Sequence, residues 1–218
     1  MLKKKIIIIA SIALLLLLGI GIICYYNIPR LSFDYSNDYG GYIVDKAYGN
    51  NEKYTIPKTY KGKNVVGIGS RAFMGKDNLE EIIFEEPANI YIIERLAFSE
   101  CSSLKIINLE HVQIIERNSF SYCVKLNNII IGAKHIGASA FYKCNSLESL
   151  ELKEGLISIG SLAFGYTSIE EIKLPRSTKD VYIDCFLYMD ELKSIIVYGD
   201  NLVENNYLKT LNNVNYVR

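Results

Sequence analysis

The sequence lacks an excess of charge of either sign, and it contains no tryptophan. Its 24 Lys and Arg residues balance 24 Asp and Glu residues in a chain of 218 residues. The first thirty residues hold four of the basic residues and none of the acidic ones, so the other 188 carry 20 basic against 24 acidic side chains. Nucleic-acid binding needs a basic surface, and so does a helix that lies on anionic lipid. The composition excludes both for the chain after residue 30.

Motifs for metal binding or catalysis are missing as well. Cys123 follows Cys101 by 22 residues and Cys144 follows Cys123 by 21, whereas metal ligands cluster at spacings such as Cys-x₂–₄-Cys. His111 and His135 are 24 residues apart, and nothing in the sequence places a third group to orient an imidazole. We therefore expect no catalytic residue, no metal site, no cofactor and no small-molecule substrate.

One long hydrophobic run opens the chain. Ile6 to Ile23 form an uncharged, largely apolar run of 18 residues, with Lys3–Lys5 before it and Tyr25-Tyr26 after it. About 20 apolar residues span a bilayer core of ~30 Å, flanking lysines stay in the cytoplasm, and tyrosines favour the interface. We predict a cytoplasmic flank over 1–5 and a transmembrane signal anchor over 6–26, with the rest outside. A cleaved signal peptide is the alternative, although Gly19-Ile20-Gly21 is a poor cleavage site.

An internal repeat fills the rest of the chain. Phenylalanine recurs at spacings of 25, 22, 21, 23 and 22 residues. An aliphatic residue stands five residues before each Phe, a small residue directly before it, and in five of the six copies a leucine six residues after it. The Phe column comprises Phe73, Phe98, Phe120, Phe141, Phe164 and Phe186.

The spacing within one copy predicts its local structure. The Leu-x-x-Ile-x-Leu part ends in an alternation of period two, typical of a short strand with one buried face. The Ala-Phe-x-x-Cys-x-x-Leu part suits a single helical or 3₁₀ turn. One copy cannot bury its own apolar side, so the copies must stack. We expect an α/β, mainly β, leucine-rich-repeat solenoid of about six repeats of ~22 residues, with parallel strands on its concave face.

The repeats resemble the BspA-like leucine-rich-repeat family. The resemblance lies in Val66–Phe73, in Ala133–Phe141 with Cys144 and Leu147 after it, and in Ile169–Pro175. It implies a cell-surface binding or adhesion protein without an active site. We expect three parts after the anchor: a juxtamembrane segment with a hairpin cap made of Tyr42–Ala47 and Lys53–Ile56 (27–65), the solenoid (66–198), and a C-terminal cap or tail (199–218).

Three cysteines share one column of the repeat. Cys101, Cys123 and Cys144 each follow a column Phe by three residues. Free cysteines are commonly buried, so small apolar thiols are one interpretation. A disulfide between neighbouring coils is the other, because stacked strands bring equivalent residues within ~5 Å and an outside location permits oxidation.

The outward face of the strands is the candidate binding surface. Strand alternation sends the residues two and four positions after the column Leu to solvent. Four isoleucines fall there, Ile196 among them, and a contiguous apolar patch with a polar rim is typical of protein-binding faces. The intrinsic strand preference of isoleucine is the competing explanation. We expect an extracellular protein or other macromolecule as partner, with an envelope scaffold or a secreted enzyme as alternatives. The candidate residues are Glu81, Ile83, Ile106, Asn108, Asn128, Ile130, Glu151 and Lys173.

Overall fold

The structure is a computed structural model that describes residues 30–182, 184–202, 205 and 207–217. The predicted cytoplasmic flank (1–5) and transmembrane helix (6–26) lie outside these residues. Within the described ranges, no helix has the length and apolar character needed to cross a membrane.

The regular elements of the described part of the chain are almost all short strands. They comprise sixteen strands and one 3₁₀ helix, Leu208–Thr210. The strands are β1 (Arg30–Ser36), β2 (Gly41–Tyr48), β3 (Lys53–Ile56), β4 (Thr59–Tyr60), β5 (Lys63–Ile68), β6 (Glu81–Phe84), β7 (Ile92–Ile93), β8 (Ile114–Ile115), β9 (Asn128–Ile131), β10 (His135–Ile136), β11 (Ser149–Leu152), β12 (Ser158–Ile159), β13 (Glu171–Leu174), β14 (Asp180–Val181), β15 (Ser194–Tyr198) and β16 (Val214–Val217).

The strands form two parallel ladders, one on each side of a solenoid. Ladder I runs without a break through β2, β5, β7, β8, β10, β12 and β14. Ladder II joins β3 to β6, β9 to β11, and β13 through β15 to β16. Isolated bridges Glu81↔Ile106 and Leu109↔Ile131 link its first two groups. About seven turns result, one more than the six predicted, because the lead-in strands β2 and β3 make the first turn.

The expectation of a mainly β solenoid is confirmed, but its α component is wrong for the described residues, which contain no α-helix. Backbone geometry around each column Phe explains the difference. Before Phe98, Leu96 has φ 60°, and after it Glu100 has φ 64°. Cys101 N–H donates to the Phe98 carbonyl and Leu104 N–H to the Cys101 carbonyl, at 3.1 and 3.0 Å, which are turn-type bonds across three residues. Because a left-handed residue stands on both sides of the Phe, the predicted turn forms but cannot propagate into a helix.

The Phe column is the centre of the core. Ring centroids of neighbouring coils are 5.0, 5.2, 5.1 and 5.5 Å apart, with interplanar angles of 19°, 9°, 1° and 2°. All five rings are fully buried. The stack therefore runs through five turns in near-parallel geometry. It consists of Phe73, Phe98, Phe120, Phe141 and Phe164.

Other side chains close the two ends of the stack. Tyr54 packs edge-on against Phe73 with centroids 5.3 Å apart, and its hydroxyl donates to the Tyr48 carbonyl at 2.7 Å. At the other end, Phe186 lies 6.4 Å from Tyr207 at a tilt of 31°. Phe186 therefore has a looser aromatic environment than the central members of the column.

The predicted hairpin between Tyr42–Ala47 and Lys53–Ile56 does not form. Both segments are strands, but β2 pairs with β1 and β5, while β3 pairs with β6 in the other ladder. The Gly49-Asn50-Asn51 connection thus turns the corner of the first coil instead of closing a hairpin. The hairpin that covers this end of ladder I is β1–β2, and its antiparallel register runs from Arg30↔Tyr48 to Ser36↔Gly41.

Candidate interaction surfaces

The outward face of ladder II exposes most of the predicted isoleucines. The exposed fractions are 41% for Ile83, 57% for Ile106 and 40% for Ile130. Ile196 was also expected to be exposed, but it is half-buried. The strand that carries it, β15, pairs with β16, which sets Asn215 beside Ile196. We call the outward side chains of ladder II from Glu81 to Glu151 the ladder II face.

The strand register makes the ladder II face continuous. The bridge Leu109↔Ile131 aligns the two coils so that Ile106 lies beside Asn128 and Asn108 beside Ile130. Ile130 is paired in turn with Glu151 of β11. Ile106 and Ile130 are therefore diagonal neighbours on adjacent coils, as the alternation predicted.

Lys173 is separated from this face by a gap in the ladder. Strands β11 and β13 lie side by side without ladder pairing, and a cleft of about 590 Å³ opens between them. Glu148, Glu170, Glu171 and Lys173 are among its lining residues. The gap falls at the fifth copy, whose connection between Phe164 and Ile169 is one residue shorter than in the other copies. Of the predicted site residues, Lys173 is the one whose strand is not paired with the ladder II face, although it lines a second cleft together with Glu151.

Ion pairs between and along the strands reduce the charge on the rim of the ladder II face. Lys53 Nζ lies 2.6 Å from a carboxylate oxygen of Glu81, and Lys153 Nζ lies 3.1 Å from Glu151 and 3.3 Å from Glu110. Hydrogen bonds to these carboxylates raise the pKa of both lysines above the ordinary value. A partner would thus meet an apolar centre and a rim in which three carboxylates share two lysines.

The column cysteines are structural hydrogen-bond donors. All three are buried and free, which is contrary to the disulfide interpretation. The thiol of Cys101 donates to the Phe73 carbonyl at 3.0 Å, and the thiols of Cys123 and Cys144 repeat this contact to the preceding Phe at 3.1 and 3.2 Å. Burial raises the pKa of Cys101 to about 12, and it also raises the pKa values of the other two. Such thiols are poor nucleophiles, because the thiolate is the reactive form.

The one Ser–His contact seen among the described residues does not have triad geometry. His135 Nδ1 lies 2.9 Å from Ser158 Oγ on the outward side of ladder I. Asp180 is the next residue in the same row, paired with Ser158 in the strand register. In a hydrolytic triad the imidazole lies between the hydroxyl and the carboxylate. Here the serine lies between the imidazole and the carboxylate, so these three residues cannot transfer a proton as a hydrolytic triad does.

A stripe of tyrosines on the turn side is a feature that the sequence analysis missed. The successive ring centroids of Tyr122, Tyr142, Tyr166 and Tyr188 are 5.9, 5.3 and 4.7 Å apart. Lys143 Nζ lies 5.1, 5.6 and 5.5 Å from the first three rings. The signal was present in the sequence, since each tyrosine follows a column Phe by one or two residues.

Ladder I carries an open trough of about 690 Å³ that the sequence analysis also missed. Its floor is Gly137, Ala138 and Gly160. Arg95 and Arg117 lie at one end and Tyr182 at the other. We call this surface the ladder I trough. The glycines stood out in the sequence as part of the repeat motif, but a motif glycine does not by itself indicate a depression.

Comparisons with known proteins agree with this architecture. A family model described as BspA type leucine rich repeat region matches six copies over residues 41–135, 66–193 and 113–215. No curated protein matches the sequence.

Several solved structures share the fold. A leucine rich cell surface protein from Faecalibacterium prausnitzii is 22% identical, with a TM-score of 0.63 over 78% of this chain and 54% of that one. A leucine rich repeat protein from T. pallidum is 22% identical, with a TM-score of 0.54 over 84% and 78%. The pneumococcal vaccine antigen PcpA is 19% identical, with a TM-score of 0.51 over 80% and 49%. The chain spans about half the length of the first and third proteins.

Proposed function

The chain belongs to the BspA-type leucine-rich-repeat family, and from this premise we propose that it is a cell-surface protein that binds a protein partner through the ladder II face, without catalysis. The observation that carries the proposal is the pair of exposed isoleucines, Ile106 and Ile130, on adjacent coils. Solenoids typically use an extended face of stacked strands for binding. The name of the F. prausnitzii protein, a cell surface protein, supports the location.

The energetics of protein interfaces favour a binding role for the exposed isoleucines of this face over a purely structural one. Interface energy concentrates in a few central apolar residues inside a polar rim. Ile83, Ile106 and Ile130 supply such a centre, and Asn108 and Asn128 lie beside two of them. Glu81 is paired with Lys53, and Glu151 shares Lys153 with Glu110, which lowers the cost of desolvating these carboxylates on binding. The face therefore offers apolar contact at a low electrostatic cost.

The proposal includes attachment to a membrane. Residues 6–26 would form the transmembrane anchor and 1–5 its cytoplasmic flank, so that the solenoid (66–198), the segment before it (27–65) and the tail (199–218) lie outside. The uncharged run of 18 residues and the three lysines that precede it support this arrangement. Secretion after signal-peptide cleavage is the competing arrangement.

We expect the mature chain to remain in the membrane fraction after alkaline extraction and to retain its N-terminal residues. The physical reason is the transfer energy of a run long enough to span the bilayer. Extraction combined with N-terminal peptide mass spectrometry measures both properties. A mature chain that starts near Ile22 or Tyr25 would show cleavage and remove the anchor from the proposal, while the binding face would stay open to its own test.

Replacing Ile106 and Ile130 together with lysine is expected to weaken partner binding at least about tenfold, which is ~1.4 kcal/mol. Both side chains are exposed, so the unfolding midpoint should stay close to that of the wild type. The partner would first be captured with the full chain as bait, and Kd would then be measured for wild type and variant.

Met74 and Leu187 provide a matched control for the isoleucine pair. They are 39% and 43% exposed, similar to Ile130, but they follow column phenylalanines on the turn side. Lysine at both control positions should leave Kd unchanged. Loss of binding in the control and not in the isoleucine pair would move the binding surface to the turn side.

A further inference from the structure

We propose that the ladder I trough binds a carboxylate-bearing oligosaccharide, with Arg95 and Arg117 receiving the carboxylates and Tyr182 packing against a sugar ring. The trough lies on the other ladder from the ladder II face, so this proposal does not depend on the proposed function. Tyr182 lies three coils from Arg117 and four from Arg95, which is about 14 and about 19 Å at the ~4.8 Å spacing of neighbouring strands. These lengths suit an oligomer better than a single small anion.

The floor of the trough exists because two glycines allow neighbouring coils to approach closely. A Cβ on Gly137 would lie 2.4 Å from the Arg117 backbone nitrogen, and one on Gly160 would lie 2.5 Å from that of Ala138. No larger residue fits, so no side chain fills the space above the floor. Two of the three floor amides have backbone partners: Gly137 N–H donates to Ile115 O at 2.7 Å and Gly160 N–H to Ile136 O at 2.8 Å.

The charge at one end of the trough favours an anion. Arg95 and Arg117 are exposed, and within the described ranges neither guanidinium takes part in an ion pair. Glu116 is the one acidic side chain among the described lining residues, and its carboxylate accepts the backbone N–H of Arg95 at 2.8 Å. This end of the trough thus holds two guanidinium groups and one carboxylate, which already accepts a backbone hydrogen bond. Guanidinium binds carboxylate with bidentate, charge-assisted hydrogen bonds.

The remaining lining groups favour a sugar over a peptide. A peptide on this floor would find the N–H groups of Gly137 and Gly160 already bonded, so its carbonyl groups would lose two donors there, and each such loss is costly. A sugar instead brings rotatable hydroxyls, which both donate and accept and can therefore add to the His135–Ser158 pair and to Ser161 along the wall. Ser161 Oγ donates to Asp184 at 2.8 Å and keeps its acceptor lone pairs. Tyr182 is 59% exposed and presents an aromatic surface at the far end.

Calorimetric titration of the full chain with a hexamer of galacturonic acid tests the proposal. Methyl-esterified hexamer, which has the same rings without the negative charge, should not bind. The double variant Arg95→Gln/Arg117→Gln should lower the affinity at least about tenfold, because it removes both charge-assisted contacts. Tyr182→Ala should lower it at low and high salt alike, because stacking is less screened than ion pairing.

Lys58→Gln/Lys61→Gln is the matched control, since it removes two exposed positive charges at the N-terminal end of the solenoid. Its affinity should equal that of the wild type. Absence of binding by the wild type, equal losses in the control, or binding of the esterified hexamer would each overturn the proposal. Equal or tighter binding of hexaglutamate would overturn the assignment to a sugar. The unfolding midpoints of all variants should match, because every substituted side chain is exposed.

Discussion

Phe141→Ala is expected to lower the free energy of unfolding by about 3–5 kcal/mol, the range for truncation of a buried Phe. The ring is fully buried and stacks on both sides, with centroids 5.1 Å from Phe120 and 5.5 Å from Phe164. Alanine would leave a cavity in the middle of the stack, where neighbouring coils are held apart by their backbone ladders and cannot collapse. Equilibrium chemical unfolding followed by tyrosine fluorescence measures the loss, since no tryptophan contributes.

Phe186→Ala is the matched comparison at the end of the column. Phe186 is 5% exposed, and its aromatic neighbour, Tyr207, lies 6.4 Å away. Its truncation should cost clearly less than that of Phe141, because fewer contacts are lost and the end of the array can relax. An equal or larger loss at Phe186 would contradict the view that the central stack holds the solenoid together.

Gly132→Ala is expected to destabilise the fold by about 3 kcal/mol, the upper part of the range for overpacking. A Cβ at this position would lie 1.8 Å from the carbonyl oxygen of Glu110 on the preceding coil. The obstacle is backbone, which cannot rotate away as a side chain would. The two coils would have to separate, which would weaken the bond from Gly132 N–H to Leu109 O. The same unfolding experiment measures this effect.

Gly75→Ala is the control that separates the steric collision at position 132 from the general effect of replacing a glycine with alanine. Gly75 has φ 69° and no atom within 4 Å of its would-be Cβ. The equivalent residues of the next two coils, Glu100 and Tyr122, adopt φ 64° and 63° with full side chains. The cost of alanine at Gly75 should therefore be limited to that of its left-handed conformation, about 1–2 kcal/mol, which is less than the cost expected at Gly132. If Gly132→Ala were tolerated equally well, the close approach of the coils would be wrong.

The sequence predicted the repeat and its inward columns well, because each column residue faces the same interior in every coil. The Phe, Cys and Leu columns are buried as expected, except for Leu192 at the end of the array, which is partly buried. Ladder I was harder to predict from the sequence. Most of its strands are two residues long, and the residue after the column aliphatic is a glycine in some copies, such as Gly137, and a glutamate in others, such as Glu116. Glu94 and Glu116 occupy the repeat position that Gly137 and Gly160 occupy in later copies. Their carboxylates accept backbone N–H groups of the preceding coil at 2.9 and 2.8 Å.

The outward residues were predictable only where the ladder is regular. Period-two alternation identified Ile83, Ile106 and Ile130 as exposed, because their strands keep one register across three coils. The alternation was wrong for Ile196. Its environment depends on β16, a strand near the C-terminus of the chain that the repeat pattern does not predict. Lys173 was expected on the same surface, but a connection shortened by one residue coincides with the gap before β13. Such effects arise from pairing between distant segments, which a local pattern does not contain.

The central claim, that the partner docks on the ladder II face, is tested most directly by site-specific crosslinking. A photoreactive amino acid would be placed singly at positions 106, 130, 74 and 187 of the full chain, and each variant irradiated with the captured partner. All four positions are exposed in the free protein, so differences in yield report contact with the partner. Crosslinks to the partner from positions 106 and 130, with none from 74 and 187, are the predicted result. Crosslinks from 74 or 187 with none from 106 and 130 would contradict the account.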